Sequence, residues 1–178
     1  MNRFILPLGA FLLLAIVLAV GIRHSTENGV IKSPLIGKPA PQFSLPDLQD
    51  PARTLKSSDL KGRWYVLNAW GAWCYVCRIE HPALLEYHKQ DVVPIIGMDF
   101  NDHDEDALQF LTQLGNPYTQ VIADRDGRTA IDFGVYGAPE TFLVNPEGIV
   151  VFKHVGALTP EVWRREFLPR LPQKAAKS

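Results

Sequence analysis

The sequence has few of the residues that several classes of protein require. Only two of its 178 residues, Cys74 and Cys77, are cysteines, which excludes a scaffold of several disulfides and a four-cysteine zinc or iron–sulfur site. Lys and Arg number 18 against 19 Asp and Glu, so no basic excess favours nucleic acid as a partner. The sequence shows no internal repeat, no low-complexity tract and no long run of like charge. Its 47% of apolar and 21% of charged residues are typical of a globular protein with one core.

A charge-free stretch of 19 residues, from Phe4 to Ile22, lies near the N-terminus. As a helix rising about 1.5 Å per residue it spans about 28 Å, close to the hydrocarbon thickness of a bilayer. Arg3 precedes it and Arg23 follows it, a pattern that favours a cytoplasmic N-terminus. We therefore predict that residues 1–22 form a cytoplasmic N-terminus and a transmembrane signal anchor. The alternative is a secretory signal cleaved at Ala19-Val20-Gly21, and both readings export the rest of the chain.

The segment after the apolar stretch is polar and is predicted to be irregular. Residues 23–36 therefore form a predicted linker, and Pro34, Gly37, Pro39 and Pro41 mark the entry into a domain. We predict that this domain covers residues 37–172 and that residues 173–178 are a tail.

Beyond residue 42 the pattern alternates between strands and helices. The predicted strands are Gln42–Leu45, Arg53–Lys56, Trp64–Trp70, Val92–Met98, Thr141–Val144 and Ile149–His154. The predicted helices are Cys74–Lys89, Asp104–Leu114, Arg128–Phe133 and a last one opened by Thr159 and Pro160. A βαβ unit followed by a ββα unit predicts an α/β sandwich, with the first two strands as a hairpin.

Cys74-Tyr75-Val76-Cys77 follows a buried strand and opens a helix, which is the setting of a redox motif. A thiolate at Cys74 would face the free N–H groups and the positive end of the helix dipole, so we expect Cys74 to be the attacking sulfur. Cys77 lies one turn further on and is placed to resolve a mixed disulfide. Two alternatives remain open, a structural disulfide and half of a metal site with His81 as a further ligand.

The helix that begins at the cysteines has one predicted core face. On a helical wheel, this face consists of Val76, Ile79, Ala83 and Tyr87. Glu80 falls at the edge of the face, where its carboxylate would be either paired or partly desolvated with a raised pKa. It could then donate and accept the proton of the Cys77 thiol. The alternative is that Glu80 turns to solvent or pairs with Arg78 or Arg128.

A second segment, Gly137-Ala138-Pro139-Glu140-Thr141, places an X–Pro bond before a strand, which is weak evidence by itself. Three longer segments together carry a resemblance. They are Trp73-Cys74-Tyr75-Val76-Cys77, Gly134-Val135-Tyr136-Gly137-Ala138-Pro139-Glu140-Thr141-Phe142 and Gly37-Lys38-Pro39-Ala40-Pro41-Gln42-Phe43. They resemble the membrane-anchored thioredoxin-like proteins of cytochrome c maturation, the thiol:disulfide interchange protein DsbE (CcmG) family. Tyr75-Val76 departs from the proline-containing dipeptide expected between the cysteines, which bears on the redox potential and not on the reaction.

The resemblance implies a thioredoxin-like fold, a central mixed sheet flanked by helices, with an inserted helix at Asp104–Leu114 and an N-terminal hairpin. It also implies a cis Pro139 that faces the cysteines. The expected catalytic residues are Cys74, Cys77, Glu80, Pro139 and Glu140, with Cys74 and Cys77 as the redox-active disulfide. The expected substrate-docking residues are Trp73, Tyr75, Tyr136 and Ala138. We expect the Glu140 carboxylate at the rim of the site, where it would favour a substrate with a histidine or basic residue beside its cysteines.

The implied function is reduction of the haem-attachment cysteines of apocytochrome c, directly or through a cytochrome c maturation thiol protein. Electrons would come from a membrane thiol-reducing protein, and the chain would cross the inner membrane once with its domain on the periplasmic side. No cofactor, metal or nucleic acid is expected. The alternatives are a general thiol oxidant, a peroxide reductase, which the absence of a Thr-x-x-Cys loop disfavours, and a copper-carrying module that uses both cysteines and a histidine.

Overall fold

The computed structural model describes residues 5–28 and 33–172, with side chains of the first range given for residues 7–19. These residues form two units, the helix α1 (Ile5–Asn28) and a domain that begins at Ser33. Helix α1 extends past the predicted end of the anchor at Ile22 into the predicted linker, since neither Pro nor Gly interrupts residues 23–28.

A membrane span is not found in the part of the chain that the structure describes, because no helix there is both long enough and apolar enough to cross a bilayer. Of the predicted N-terminus and anchor, residues 1–22, residues 1–4 and the side chains of residues 5, 6 and 20–22 lie outside the described residues. Residues 29–32 of the predicted linker and the predicted tail, 173–178, also lie outside them.

The domain contains a five-stranded mixed sheet with the strand order β5-β4-β3-β6-β7. Its strands are β3 (Tyr65–Trp70), β4 (Ile95–Phe100), β5 (Gln120–Asp124), β6 (Glu140–Val144) and β7 (Val150–Val155). Strands β3, β4 and β5 are parallel, and β6 and β7 are antiparallel to their neighbours. A separate antiparallel hairpin precedes this sheet and consists of β1 (Ser44–Pro46) and β2 (Thr54–Lys56). The predicted α/β fold with a mixed sheet and an N-terminal hairpin is confirmed.

The helices of the domain connect these strands, except for the last helix, which follows β7. They are α2 (Tyr75–Gln90), α3 (Asp104–Leu114), α4 (Arg128–Asp132) and α5 (Pro160–Val162), with a 3-10 helix at Ser57–Leu60. Helix α3 has both of its predicted ends. Helix α5 begins at Pro160 with Thr159 as its N-cap, whose hydroxyl accepts the Val162 N–H at 3.3 Å. It continues as a π-helical turn, Trp163–Phe167, and a 3-10 turn, Leu168–Arg170.

Strand β5 was not predicted, because it is a short segment with a brief apolar run and no clear alternation. It forms because the edge of β4 offers parallel pairing, in which Thr119 N–H donates to Ile95 O at 2.8 Å. Its outer edge is covered where Leu48 N–H donates to Val121 O at 2.8 Å. Strand β4 itself begins at Ile95 and not at the predicted Val92, after a proline that has no N–H for the ladder.

The central strand β3 sends alternate side chains to two hydrophobic layers. Val66 and Trp70 pack in the layer that contains the buried side of α2, whereas Leu67 and Ala69 pack in the layer beneath α4. Asn68 shares the α2 side with Val66 and Trp70 and is fully buried. A polar side chain therefore lies at the centre of an otherwise apolar strand, directed towards α2.

Helix α2 buries a different face from the predicted one. Its buried residues are Cys77, Glu80, His81, Leu84 and Tyr87. Of the four residues predicted to face the core, Tyr87 is buried, and Ala83 is half-buried and packs against the core. The assignments of Val76 and Ile79 are wrong because both are exposed, Ile79 to 57%. The helix is rotated so that the Glu80 carboxylate meets hydrogen-bond donors in the domain, and this leaves Val76 and Ile79 on the surface.

Candidate active site

The two cysteines occupy the first turn of α2. Cys74 is the N-cap residue, and the Cys77 N–H donates to Cys74 Sγ at 3.0 Å. The two residues form a disulfide, with their Cα atoms 5.3 Å apart. Exposure does not distinguish them, since Cys74 is 5% and Cys77 3% exposed. The N-cap position does distinguish them, because a thiolate at Cys74 would accept hydrogen bonds from the N–H groups in the first turn of the helix.

The loop between β3 and the cysteines is held by the end of β4. Ala72 N–H donates to Asp102 Oδ2 at 2.5 Å, and the Trp73 indole N–H donates to Phe100 O at 3.3 Å. Gly71 allows this conformation because a Cβ at that position would collide with the Trp73 indole. Sequence reasoning missed Asp102, since nothing in the local pattern links it to a loop 30 residues earlier.

Glu80 lies on the buried face of α2, one turn after Cys77, and is only 3% exposed. Its Oε1 accepts Asn68 Nδ2 at 3.1 Å, and its Oε2 accepts the Leu158 N–H at 2.6 Å. Burial raises the pKa of Glu80 to about 7, against the opposing effect of these two donors. Glu80 is therefore the desolvated carboxyl with a raised pKa, as one of the two predicted alternatives has it. The Arg78 guanidinium, a partner in the other alternative, lies 4.8 Å from the centre of the Phe110 ring.

Glu140, the first residue of β6, is 0% exposed. Its Oε2 forms an ion pair with Lys153 Nζ at 2.6 Å, and its Oε1 accepts the Tyr136 N–H at 3.1 Å. Lys153, on the neighbouring strand β7, also donates to Gly134 O at 2.8 Å. The expected position of this carboxylate at the rim is wrong, because the buried ammonium of Lys153 draws it inward. Glu140 and Lys153 together tie the segment before Pro139 to the sheet.

Pro139 follows a cis Ala138–Pro139 peptide bond, as the resemblance implies. The next residue, Glu140, pairs in register with Ala69 near the end of β3, from which the chain leads into the cysteine loop. Ala138 packs against the hydrophobic cluster that contains both cysteines. Sheet register thus places the proline segment beside the end of β3 that precedes the disulfide.

Aromatic side chains surround the site on the outside. Three of the predicted docking residues, Trp73, Tyr75 and Tyr136, are exposed, whereas Ala138 is half-buried. Exposed Val76 and Ile79 lie on the same helix as Tyr75, and sequence reasoning missed both because it assigned them to the core. An exposed apolar surface therefore accompanies the cysteines.

His81 is buried, and its Nε2 lies 2.9 Å from Gly115 O, at the C-terminal end of α3. Burial lowers its pKa, and its ring packs edge-on against Phe110. Within residues 5–28 and 33–172, no group of three or more His, Cys, Asp and Glu side chains could hold a metal ion. His81 connects α2 to the end of α3.

Comparison with known proteins agrees with this geometry. The model of the AhpC/TSA family matches residues 36–153. The thiol:disulfide interchange protein DsbE of Pseudomonas aeruginosa is 45% identical over 169 residues, which cover 95% of this chain and 92% of that protein. DsbE of Escherichia coli K12 is 38% identical over 169 residues, covering 93% and 91%. A crystal structure of a DsbE protein from Chlorobium tepidum has a TM-score of 0.61 at 30% identity and covers 71% of this chain and 88% of that one.

The chain therefore belongs to the DsbE family of thiol:disulfide interchange proteins, and its domain has a thioredoxin-like fold. The predicted family and the predicted activity are confirmed. The protein is a thiol–disulfide oxidoreductase whose redox centre is the Cys74–Cys77 pair.

Proposed function

We propose that this protein is a periplasmic dithiol reductant that reduces the haem-attachment cysteines of apocytochrome c, directly or through a maturation thiol protein. The observation that carries the proposal is that one helix has both an N-cap cysteine, Cys74, and a buried carboxyl, Glu80, which lies on the same face as Cys77. Membership of the DsbE family and the resemblance to proteins of cytochrome c maturation support the choice of substrate.

The reaction starts from the dithiol form of the protein. The Cys74 thiolate attacks one sulfur of the substrate disulfide, so that a mixed disulfide forms and the first substrate thiolate leaves and takes up a proton. The Cys77 thiol then gives its proton to the Glu80 carboxylate, and the resulting thiolate attacks Cys74 Sγ. The second substrate thiolate leaves and is protonated. The substrate disulfide gains two electrons and two protons, and the protein ends as the Cys74–Cys77 disulfide, which a membrane thiol-reducing donor reduces again.

The proline segment and the exposed aromatic residues form the substrate platform in this proposal. A substrate in extended conformation can pair with the backbone before Pro139 while its side chains contact Trp73, Tyr75 and Tyr136. Because the Glu140 carboxylate is buried against Lys153, its part is to hold this segment and not to contact a basic substrate residue.

Residues 1–22 serve as the membrane anchor in this proposal, and residues 23–36 connect them to the domain. The support is the charge-free run of 19 residues from Phe4 to Ile22. Cell fractionation followed by N-terminal sequencing tests the anchor, and we expect a membrane-bound protein that begins at Met1 or Asn2. A soluble protein that begins near Ile22 would instead support the cleaved signal and overturn the anchor.

A trapping experiment tests the substrate. In Cys77→Ser, the mixed disulfide at Cys74 cannot be resolved, so the partner stays attached and can be identified by mass spectrometry after isolation from cells. We expect apocytochrome c or a cytochrome c maturation thiol protein, and Cys74→Ser is the matched control that should trap neither. A broad set of unrelated exported proteins would favour the general-oxidant alternative. A redox titration against glutathione provides a second check, since known thioredoxin-like proteins span about −270 to −120 mV.

A further inference from the structure

Four buried polar side chains from separate parts of the domain form one hydrogen-bond network, centred on Asn68 of β3. Asn68 Nδ2 donates to Glu80 Oε1 on α2 at 3.1 Å and to Thr141 Oγ1 on β6 at 3.0 Å. Asn68 Oδ1 accepts the hydroxyl of Tyr118, which precedes β5, at 2.9 Å. All four residues are buried, and Asn68, Glu80 and Thr141 are 3% exposed or less. The network joins the carboxyl beside Cys77 to the strand that follows Pro139.

The chemistry of the partners fixes the orientation of the Asn68 amide. An ionised carboxylate only accepts hydrogen bonds, so the amide nitrogen has to face Glu80. The amide oxygen then faces Tyr118, whose hydroxyl donates to it. Tyr118 is held in turn by stacking on Trp70, with ring centres 5.5 Å apart. The donor offered to Glu80 is therefore positioned by packing that lies outside the cysteine motif.

We propose that Asn68 is a positioning residue for thiol–disulfide exchange, which keeps the Glu80 carboxyl in its charged, proton-accepting form beside Cys77, and that Tyr118 holds Asn68 in this role. The inference rests on the proposed function, in which Glu80 accepts the proton of the resolving thiol. It adds two residues that neither the cysteine motif nor the proline segment contains.

The balance of charges around Glu80 supports this role. Burial favours the neutral carboxyl, and two donors oppose it, the Asn68 amide and the Leu158 N–H at 2.6 Å. Of the titratable groups that face Glu80, Tyr87 lies on the same helix and Tyr118 before β5, and burial raises the pKa of both phenols, so both are neutral near pH 7. The Cys77 thiol of the reduced protein lies one turn earlier on α2, and the charge of Asp99 on β4 is near enough to Tyr118 to raise the pKa of its phenol further.

The principal test is Asn68→Leu, which keeps a similar side-chain shape and removes the donor. Loss of a hydrogen bond to a charged group should raise the pKa of Glu80 by about one to two pH units. We therefore expect the rate at which the mixed disulfide is resolved to fall about tenfold at pH 7 and to recover at higher pH. The measurements are single-turnover release of thiol from a disulfide-bonded Cys-x-x-Cys-His peptide at pH 5 to 10, and the titration of the Glu80 side-chain carbon by NMR in the full-length protein.

Two further variants separate positioning from a general structural role. Tyr118→Phe removes the hydroxyl that orients Asn68, so we expect a smaller increase in the midpoint, the pH at which mixed-disulfide resolution reaches half of its maximal rate. Thr141→Val is the matched control, since it removes another partner of the same amide while Glu80 keeps both of its donors, and its midpoint should equal that of the wild type. A purely structural role of Asn68 predicts that the midpoint decreases in Asn68→Leu, because water that enters a loosened site would lower the pKa of Glu80 towards its ordinary value.

Glu80→Gln distinguishes failure of this inference from failure of the proposed function. A wild-type pH profile in Glu80→Gln would overturn the proton-accepting role of Glu80 and the inference that rests on it. If Glu80→Gln loses the pH-dependent step while Asn68→Leu retains the wild-type midpoint, only the role of Asn68 is overturned. If Asn68→Leu does not fold, Tyr118→Phe decides, and an unchanged or lower midpoint in that variant overturns the inference.

Discussion

The buried ion pair between Lys153 and Glu140 offers a sharp test of how the proline segment is held. Lys153 Nζ lies 2.6 Å from Glu140 Oε2 and also donates to Gly134 O at 2.8 Å. The ammonium further lies 5.0 Å from the centre of the Tyr136 ring and 5.2 Å from that of Phe142. One cation thus contacts two residues of the segment before Pro139, Gly134 and Tyr136, and two residues of the strand that follows, Glu140 and Phe142.

Lys153→Met retains most of the apolar stem and removes the charge. Loss of one partner from a buried pair costs about 3–5 kcal/mol, because the other charge remains desolvated. Here the Tyr136 N–H still donates to Glu140 Oε1, so we expect the lower value, about 3 kcal/mol in the free energy of unfolding at pH 8.

The assay is urea unfolding of the full-length oxidised protein in detergent at pH 8, with linear extrapolation to water. The double variant Lys153→Met/Glu140→Gln completes a thermodynamic cycle, and we expect it to recover about 2 kcal/mol at pH 8 because no charge is left without a partner. The reasoning is refuted if Lys153→Met loses less than about 1 kcal/mol at pH 8, or if the double variant is no more stable than Lys153→Met.

Three further outcomes are expected. Burial, and then the nearby Asp102, raise the pKa of Asp99 to about 8, so the folded protein binds a proton more readily than the unfolded chain and loses stability as pH rises from about 4 to 8. Asp99→Asn should remove that loss, so its stability relative to the wild type should increase by on the order of 3–4 kcal/mol between pH 5 and pH 8 in urea unfolding; an identical pH dependence in both proteins would contradict this. In the reduced protein, iodoacetamide should alkylate Cys74 before Cys77 near neutral pH, and the reverse order would exchange their roles. Asp102→Ala removes the acceptor of the Ala72 N–H, so exchange should slow by severalfold with little change in stability, and an unchanged rate would exclude a role in holding the loop.

The local sequence pattern was sufficient to predict most helices and strands of the domain. Helix α3 has its predicted ends at Asp104 and Leu114, and Thr159 and Pro160 open the last helical segment as predicted. The Cys-x-x-Cys motif lies between a buried strand and a helix start, as its neighbours in the sequence indicate. These features depend on caps, periodicity and turns, which act over a few residues and can therefore be read from the chain alone.

The rotation of α2 was decided by tertiary contacts. A wheel based on hydrophobicity placed Val76 and Ile79 in the core and Glu80 at its edge, whereas the folded helix buries Glu80 and exposes both apolar residues. Asn68 and Leu158 favour this arrangement because they donate hydrogen bonds to the Glu80 carboxylate from distant positions in the chain. No periodicity within the helix contains that information.

Residue types and their spacing were enough to identify the side chains that carry the chemistry, the cysteine pair and the acidic residues near it, because these features are local. The part that each acid plays depends instead on contacts between distant elements of the fold. Lys153 reaches Glu140 across β6 and β7 and turns it inward, and Asn68 reaches Glu80 from β3. Both contacts depend on strand register and helix rotation, and these are settled only when the whole domain packs, since each buried charge requires a partner supplied by another element.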